Sequence, residues 1–394
     1  MIIREKYLRE IRGFYNSDLV KVITGIRRSG KSVILESIIA EIKQISSNII
    51  YLNFEDFNTR IKIKTIKSLI DYVEKNKKEG LCYCFFDEIQ ELPNWQLAVR
   101  HLRLQNCSVF ITGSNSKLLS SEFLSELSGR FISFRIRPFV FKEIKEFCKQ
   151  NNCKIDILNY LIWGGFPGRL NNLDKTATVA YLKDLRNTIV FNDIIKRYKI
   201  KSEIEFISVA NFIFKNNSRI FSARSVYKYM KPDFPELALT TVTKFVEVLK
   251  SAYVIETIKK YSTKTKSDLV FSGKTYNADV AFNSINIEDN VYDLDHNLEN
   301  IVYNELIYRD YCVKVYLVKD QEIDFQATKY GKTYYIQVAY SVVDKNDYAR
   351  EFAALSKLDN SYKKILITTD EFDYSTSTVR HIGLKDFLQL DDLE

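Results

Sequence analysis

The sequence predicts an α/β fold that opens with a parallel sheet flanked by helices. Three observations carry this expectation. Short apolar runs rich in β-branched and aromatic residues recur at Leu19–Thr24, Asn48–Phe54, Leu81–Phe86 and Ser108–Thr112, with helical periodicity between them. Continuous apolar runs of this length mark strands buried on both faces, as parallel strands are. The first run leads directly into Gly25-Ile26-Arg27-Arg28-Ser29-Gly30-Lys31-Ser32, and the third ends in Asp87-Glu88.

The elements follow in order. Tyr7, Leu8, Ile11 and Phe14 share one helical face, so a helix precedes the first strand. The glycine-bounded stretch then fits G-x-x-x-x-G-K-[ST] between a strand and the apolar helix start Val33–Ile39, the context that makes this pattern a phosphate-binding loop. Gly25 and Gly30 let backbone N–H groups curl around phosphates, with Arg27, Arg28 and Ser29 filling the rest of the cradle. The helix N-terminus adds partial positive charge. Lys31 is expected to reach β- and γ-phosphates, and the Ser32 hydroxyl to ligate Mg²⁺.

After Asn48–Phe54 comes a helix of about Lys64–Asn76, with Ile66, Leu69, Ile70 and Val73 on one face. Leu81–Glu88 has the Walker B pattern, an apolar strand ending in two acids. Asp87 would hold Mg²⁺ directly or through water, and Glu88 would polarise the attacking water. Gln96–Leu104 reads as a helix. Ser108–Asn115 is expected to lie between the strands of the loop and of the acids. Asn115 would then sense the γ-phosphate or orient water; a plain Gly-Ser-Asn turn is the alternative. A helix Glu122–Leu127 leads to Arg130, either an arginine finger for this chain's or a neighbour's γ-phosphate or a salt-bridged surface residue.

Composition sets bounds. A chain of 394 residues suggests two or three domains. No apolar run reaches the ~18 residues of a membrane helix, and the N-terminus lacks a signal-peptide core. Six cysteines without a CxxC, and three histidines, argue against a zinc site or disulfide framework and fit a reducing cytoplasm. The net charge of +8 permits nucleic-acid contact without requiring it.

Beyond residue 141 the chain reads as helices, broken by Trp163-Gly164-Gly165-Phe166-Pro167, which would form a tight corner or pack on the nucleotide. In the amphipathic stretch Tyr181–Tyr198, Arg186 and Asp193 are candidates for surface ion pairs, an interface or the nucleotide site. Three helices and a hairpin over 203–281 read as a winged helix. Lys228, Lys231, Lys244, Lys259, Lys260, Lys264 and Lys266 would meet DNA phosphates, unless the module only packs against protein. From about residue 290 the pattern is mixed α/β.

Taken together, GIRRSGKS, FFDEIQELPNW, FITGSNSKLLS, LSGR and RPFVFKE resemble the prokaryotic AAA-superfamily P-loop ATPases, more narrowly the type carrying a C-terminal domain of unknown function. The resemblance implies ATP rather than GTP, and no guanine-reading Asn-Lys-x-Asp is present. It implies an AAA-type P-loop NTPase core over 1–140, a helical lid over 141–201, a winged helix over 202–285, and a mixed α/β domain over 286–394. This last domain resembles the PD-(D/E)xK, restriction-endonuclease-like nucleases. There Glu299 matches the helical acid and Asp324 the hairpin acid. Gln337 stands where a second carboxylate belongs and Ala339 where the lysine belongs, and both departures argue against DNA cleavage. The expected activity is Mg²⁺-dependent ATP hydrolysis that drives or switches the attached domains on DNA. The alternatives are a nucleic-acid-binding module with ATP as a slow structural switch, and an ATP-regulated metal-dependent nuclease. ATP, a DNA or protein partner and further copies of the chain are the partners this reading leaves open; a membrane is not among them.

Overall fold

Each apolar run of the first part becomes one strand of a five-stranded sheet. The strands are Val20–Thr24 (β1), Ile49–Asn53 (β2), Cys82–Asp87 (β3), Cys107–Gly113 (β4) and Phe131–Arg135 (β5), in the order β2-β3-β4-β1-β5. Every neighbouring pair is parallel. β1, β3 and β4 are buried along their whole length, which is why they read as unbroken apolar runs. β4 lies between β1 and β3, as expected. In a parallel sheet all carboxyl ends meet at one edge, so the loops after β1, β3 and β4 converge. The helices of this part are Glu5–Arg12, Lys31–Ile42, Phe57–Lys62, Ile66–Asn76 and Trp95–Leu104. Ile66–Asn76 starts on a Thr65/Ser68 capping box. Its Leu69 and Val73 join Val99 and Leu102 of Trp95–Leu104 against Cys84, Phe86, Val109 and Ile111 of the sheet.

This computed structural model describes residues 2–114, 118, 126–127, 129–265, 267–287, 291–318 and 321–394. Asn115, most of Glu122–Leu127, Lys266 and Lys319 lie outside the described residues. The chain divides into two compact units, Met1–Pro138 with Ser251–Tyr253, and Phe139–Lys250 with Val254–Glu394.

The second unit contains the helices Phe141–Asn151, Ile157–Trp163 and Lys175–Thr188, the last continuing as a π-helix over Ile189–Lys196. Glu203–Lys215, Ala223–Met230 and Leu239–Ser251 are the three helices expected of a winged helix. Its strands are Ile220–Phe221 (β6), Ile255–Ser262 (β7), Ser267–Asn277 (β8), Cys312–Val318 (β9), Gln321–Lys329 (β10), Lys332–Val338 (β11), Lys363–Thr368 (β12) and Val379–Gly383 (β13). They form one sheet in the order β13-β12-β11-β10-β9-β7-β8-β6.

The expectation of a free basic wing is therefore corrected. β7 and β8 do form an antiparallel hairpin. The outer edge of β7, however, pairs in parallel with β9, Lys260 opposite Val315 and Ser262 opposite Leu317. Of the wing and helix lysines, Lys260 is buried, as is Lys274 farther along β8, and Lys231 turns back onto the Leu237 carbonyl at 3.2 Å. Lys228, Lys244, Lys259 and Lys264 are exposed. A strand's own sequence does not say which partner closes its second edge, so the lysines alternating along it looked solvated.

The Trp163–Pro167 break is a tight corner. A Cβ on Gly164, at φ +64°, would lie 1.6 Å from Asp279 Oδ1, and one on Gly165 would lie 1.9 Å from the Phe139 carbonyl. The Asp279 carboxylate accepts from the Gly165 and Ala281 N–H groups at 2.7 and 2.9 Å. Arg186 bonds Asn286, and Asp193 is buried. Among the described residues no helix is long and apolar enough to cross a membrane.

Candidate nucleotide site and a sealed carboxylate cluster

The loop after β1 is shaped by close approach. Gly25 has φ +145°, and a Cβ there would lie 2.1 Å from the Ile136 carbonyl oxygen, so only glycine fits. Gly30, in the left-handed region, caps Lys31–Ile42 without any side-chain cap. The first-turn N–H groups of that helix therefore have no side chain bonding them from the cap position. Ser29 is fully buried, and its Oγ has no hydrogen-bond partner among the described residues. Lys31 is only 5% exposed; its Nζ donates to the Gly25 and Ile26 carbonyls at 3.1 and 3.2 Å and stands 3.9 Å from Glu88 Oε1. Ser32 is exposed in the first helical turn, Arg28 is exposed at φ +63°, and Arg27 reaches Glu55 at 3.2 Å.

Sequence reasoning missed Arg4. It is buried, and its Nη1 donates to both the Ser29 and the Arg137 carbonyl at 3.0 Å, pinning the loop from behind. A single arginine ahead of a helix carries no local signal of such a role.

The acids at the end of β3 reach the same edge. Asp87 is 2% exposed; it accepts from Thr112 Oγ1, and from the Tyr51 hydroxyl at 3.5 Å. Burial, and then the Asp87 charge, push the Tyr51 hydroxyl up to about 12, so it remains a donor. Glu88 takes a left-handed backbone at φ +51°, a costly conformation for a side-chain-bearing residue and one that clusters at functional sites. Its N–H donates to Thr112 Oγ1 at 2.9 Å, and its Oε2 accepts from Gln90 and from the Ser114 N–H at 3.3 Å. The one Thr112 hydroxyl thus donates to Asp87 and accepts from Glu88. The Ser114 Oγ is buried with no hydrogen-bond partner among the described residues. The Asn115 expected to act as a sensor lies outside the described residues, and Ser114 is the polar side chain seen at this end of β4.

Arg130 is not brought to this edge. Its carbonyl accepts from Val20 N–H at 3.0 Å, at the start of β1, whereas the loop follows Thr24, which pairs with Arg135. A five-residue strand, roughly 16 Å, separates Arg130 from Gly25. A finger role for it within this chain is contradicted. The reason is that strand direction, not nearness in sequence, decides which end of β5 meets the loop.

The cradle fits a triphosphate. It offers a helix start with no side-chain cap, hydroxyls at Ser29 and Ser114 without a partner among the described residues, and a backbone approach that a Cβ at Gly25 would fill. The oxygen donors Ser32 and Asp87 suit Mg²⁺.

In the second unit, Gln337 accepts from the Asp324 N–H at 3.4 Å, and Glu299 and Asp324 converge around a side chain that sequence reasoning did not foresee. The Lys274 ammonium lies 2.8 Å from Glu299, 2.9 Å from Asp324 and 3.0 Å from Glu322. Lys274 is 5% exposed. Glu322 also holds Lys260, and the Tyr276 hydroxyl donates to Glu299 at 2.6 Å. Asp324 accepts from the Val338 N–H at 3.0 Å, and Gln337 donates to Glu351 at 2.8 Å. Burial alone would lower the Lys274 pKa, but Asp324, Glu299 and Glu322 outweigh it and hold the ammonium charged. Burial raises Glu299 to about 7 against the pull of Lys274. A cation from β8 therefore fills the space between the two acids where the nuclease resemblance would put a metal. The nuclease-like positions come together, and they come together sealed.

Comparison with known proteins agrees with the first unit. Residues 17–145 match a family described as an AAA domain, and residues 154–287 match a domain of unknown function (DUF8612), which is placed mid-chain rather than at the C-terminus. An uncharacterized protein of Haemophilus influenzae is 33% identical over 379 residues, covering 93% of each chain. An uncharacterized protein of Methanocaldococcus jannaschii is 31% identical over 377 residues, covering 89% of this chain and 82% of the relative. Among solved structures, a Walker-type ATPase of Pyrococcus abyssi shares the fold at a TM-score of 0.53 and 16% identity, over 73% of this chain and 96% of that one.

Proposed function

Because this chain belongs to the family of the Haemophilus and Methanocaldococcus proteins and its residues 17–145 match an AAA domain, we propose that it is an ATPase whose nucleotide state switches its second unit. The observation that carries this reading is the meeting of Lys31, Asp87 and Glu88 at one sheet edge, with β4 between their strands. Lys31 swings from the Gly25 and Ile26 carbonyls to the β- and γ-phosphates. Glu88 accepts the proton of the attacking water, held in place by Gln90, Ser114 and Thr112. Ser32 and Asp87 would hold Mg²⁺, which would supply charge to neutralise the phosphates. Ser29 and Ser114 supply hydroxyls to the phosphate oxygens. Calorimetry of ATP with Lys31→Ala tests the site. Binding should vanish, and unchanged affinity would place the site elsewhere.

The sealed cluster supports a binding role for the second unit, without DNA cleavage. The four exposed lysines, Lys228, Lys244, Lys259 and Lys264, favour an acidic partner such as duplex DNA. Binding would then be strongest at low salt and fall steeply as salt rises. ATP turnover measured with and without DNA decides whether DNA is the partner that couples to hydrolysis.

A further inference from the structure

Three cysteines that the proposed ATPase does not use meet inside the first unit. Cys82 and Cys84 are two residues apart on β3, so both point to one face of the sheet. Cys107 opens β4 directly opposite Cys82. All three are at most 2% exposed. The Cys82 and Cys84 sulfurs are 3.8 Å apart, and the three sulfurs lie within 4.8 Å of one another. Among the described residues no carboxylate or imidazole joins the group, so it offers sulfur alone.

The spacing is what one ion requires. Three sulfurs each about 2.3 Å from a central ion stand about 4 Å apart. The ligand set also selects the ion. Zinc in structural sites takes four ligands, whereas soft thiolates favour Cu(I), which accepts three. The site sits at the amino ends of β3 and β4, opposite the nucleotide edge. It lies just under the exposed Gly80 and Asn106, whose carbonyl accepts from Cys82 N–H at 3.1 Å. An ion can therefore enter by a small opening of two surface turns.

We propose that Cys82, Cys84 and Cys107 form a three-sulfur site for one soft monovalent ion of the Cu(I) type, stapling β3 to β4. These are the two strands that carry Asp87, Thr112 and Ser114 at their other ends. The requirement for two ligands close in sequence, met by a CxxC, overlooks this group. Strand alternation and cross-strand register build it instead.

The test uses the full reduced chain under anaerobic conditions, with Cu(I) supplied from a bathocuproine-type competitor. Retained copper is counted after gel filtration, together with near-ultraviolet sulfur-to-copper absorption. One copper per chain is expected, both in the wild type and in a Cys148→Ser, Cys153→Ser, Cys312→Ser control. None should remain in a Cys82→Val, Cys84→Val, Cys107→Val variant whose ATP binding is intact. If that variant does not fold, Cys84→Ala serves. Loss of an outer-shell partner alone weakens metal sites by about 10–100-fold, so loss of a direct ligand should weaken copper at least as much. No retained copper in the wild type, equal copper in the valine or Cys84→Ala variant, or displacement of copper by equimolar zinc would each overturn the assignment.

Discussion

Replacing Lys274 by methionine keeps the aliphatic stem and removes only the charge. Glu322 would retain Lys260, but among the described residues Glu299 and Asp324 would keep only neutral donors, the Tyr276 hydroxyl and the Val338 N–H. Breaking a buried ion pair in this way costs about 3–5 kcal/mol, because a charge is left desolvated and uncompensated. For a folding unit of this size that lowers the melting midpoint by on the order of 10 °C. The loss depends on pH. Without the cation, burial and the Asp324 charge hold Glu299 above its unfolded value against the lesser pull of the Tyr276 hydroxyl, so the folded state binds a proton there more tightly. The destabilisation is then absent below roughly pH 4 and grows as pH rises. Urea unfolding at pH 5 and pH 8 measures it. Adding Glu299→Gln and Asp324→Asn should recover most of the loss, and millimolar Mn²⁺ should raise the midpoint of the single variant but not of the wild type. A loss below about 1 kcal/mol, or one independent of pH, would refute the picture of Lys274 as the charge that closes the cluster.

Glu88→Gln should bind ATP normally and lose about 10²- to 10⁴-fold in turnover, measured by phosphate release, since a positioned base contributes that much. Arg130→Ala should leave turnover of the dilute, monomeric chain within about twofold of wild type, because its strand end lies roughly 16 Å from its own loop. Lys21 is buried between Ser17, Ser108 and the Phe110 ring, and burial lowers it to about 7 from 10.5. Its unfolded form binds a proton that the folded form has released between those values, so stability should rise with pH across that window. Lys21→Met should flatten the rise, as seen in denaturant midpoints from pH 7 to 10.

The nucleotide edge was legible because its information is local. Gly25 to Ser32 and Cys82 to Glu88 each declare a strand, its end and the polar groups placed there within eight residues. Even the position of β4 between them followed from the polar end of Ser108–Asn115. What was not legible is contact between distant segments. Arg4 bonds carbonyls 25 and 133 residues away, and Lys274 meets Asp324 across 50 residues. No pattern in the lysine's own strand marks it as an internal cation. The departures at Gln337 and Ala339 gave warning of an inactive cluster, but they did not say what had taken the metal's place. β13 and the helix Lys345–Ser356 also went unread as elements, being short or weakly patterned.

The pairing of β7 with β9 has a bearing on descent. The hairpin and the C-terminal strands occupy separate stretches of the gene, yet neither is complete alone. Excised, residues 202–285 would present the bare edge of β7, a template for aggregation. Residues 286–394 by themselves would keep Glu299 and Asp324 but lose the lysine that neutralises them. Recombination could therefore not exchange one segment for a foreign counterpart without a matched change in the other. Relatives that keep Lys274 should keep both carboxylates, and the two segments should have been inherited as a single piece.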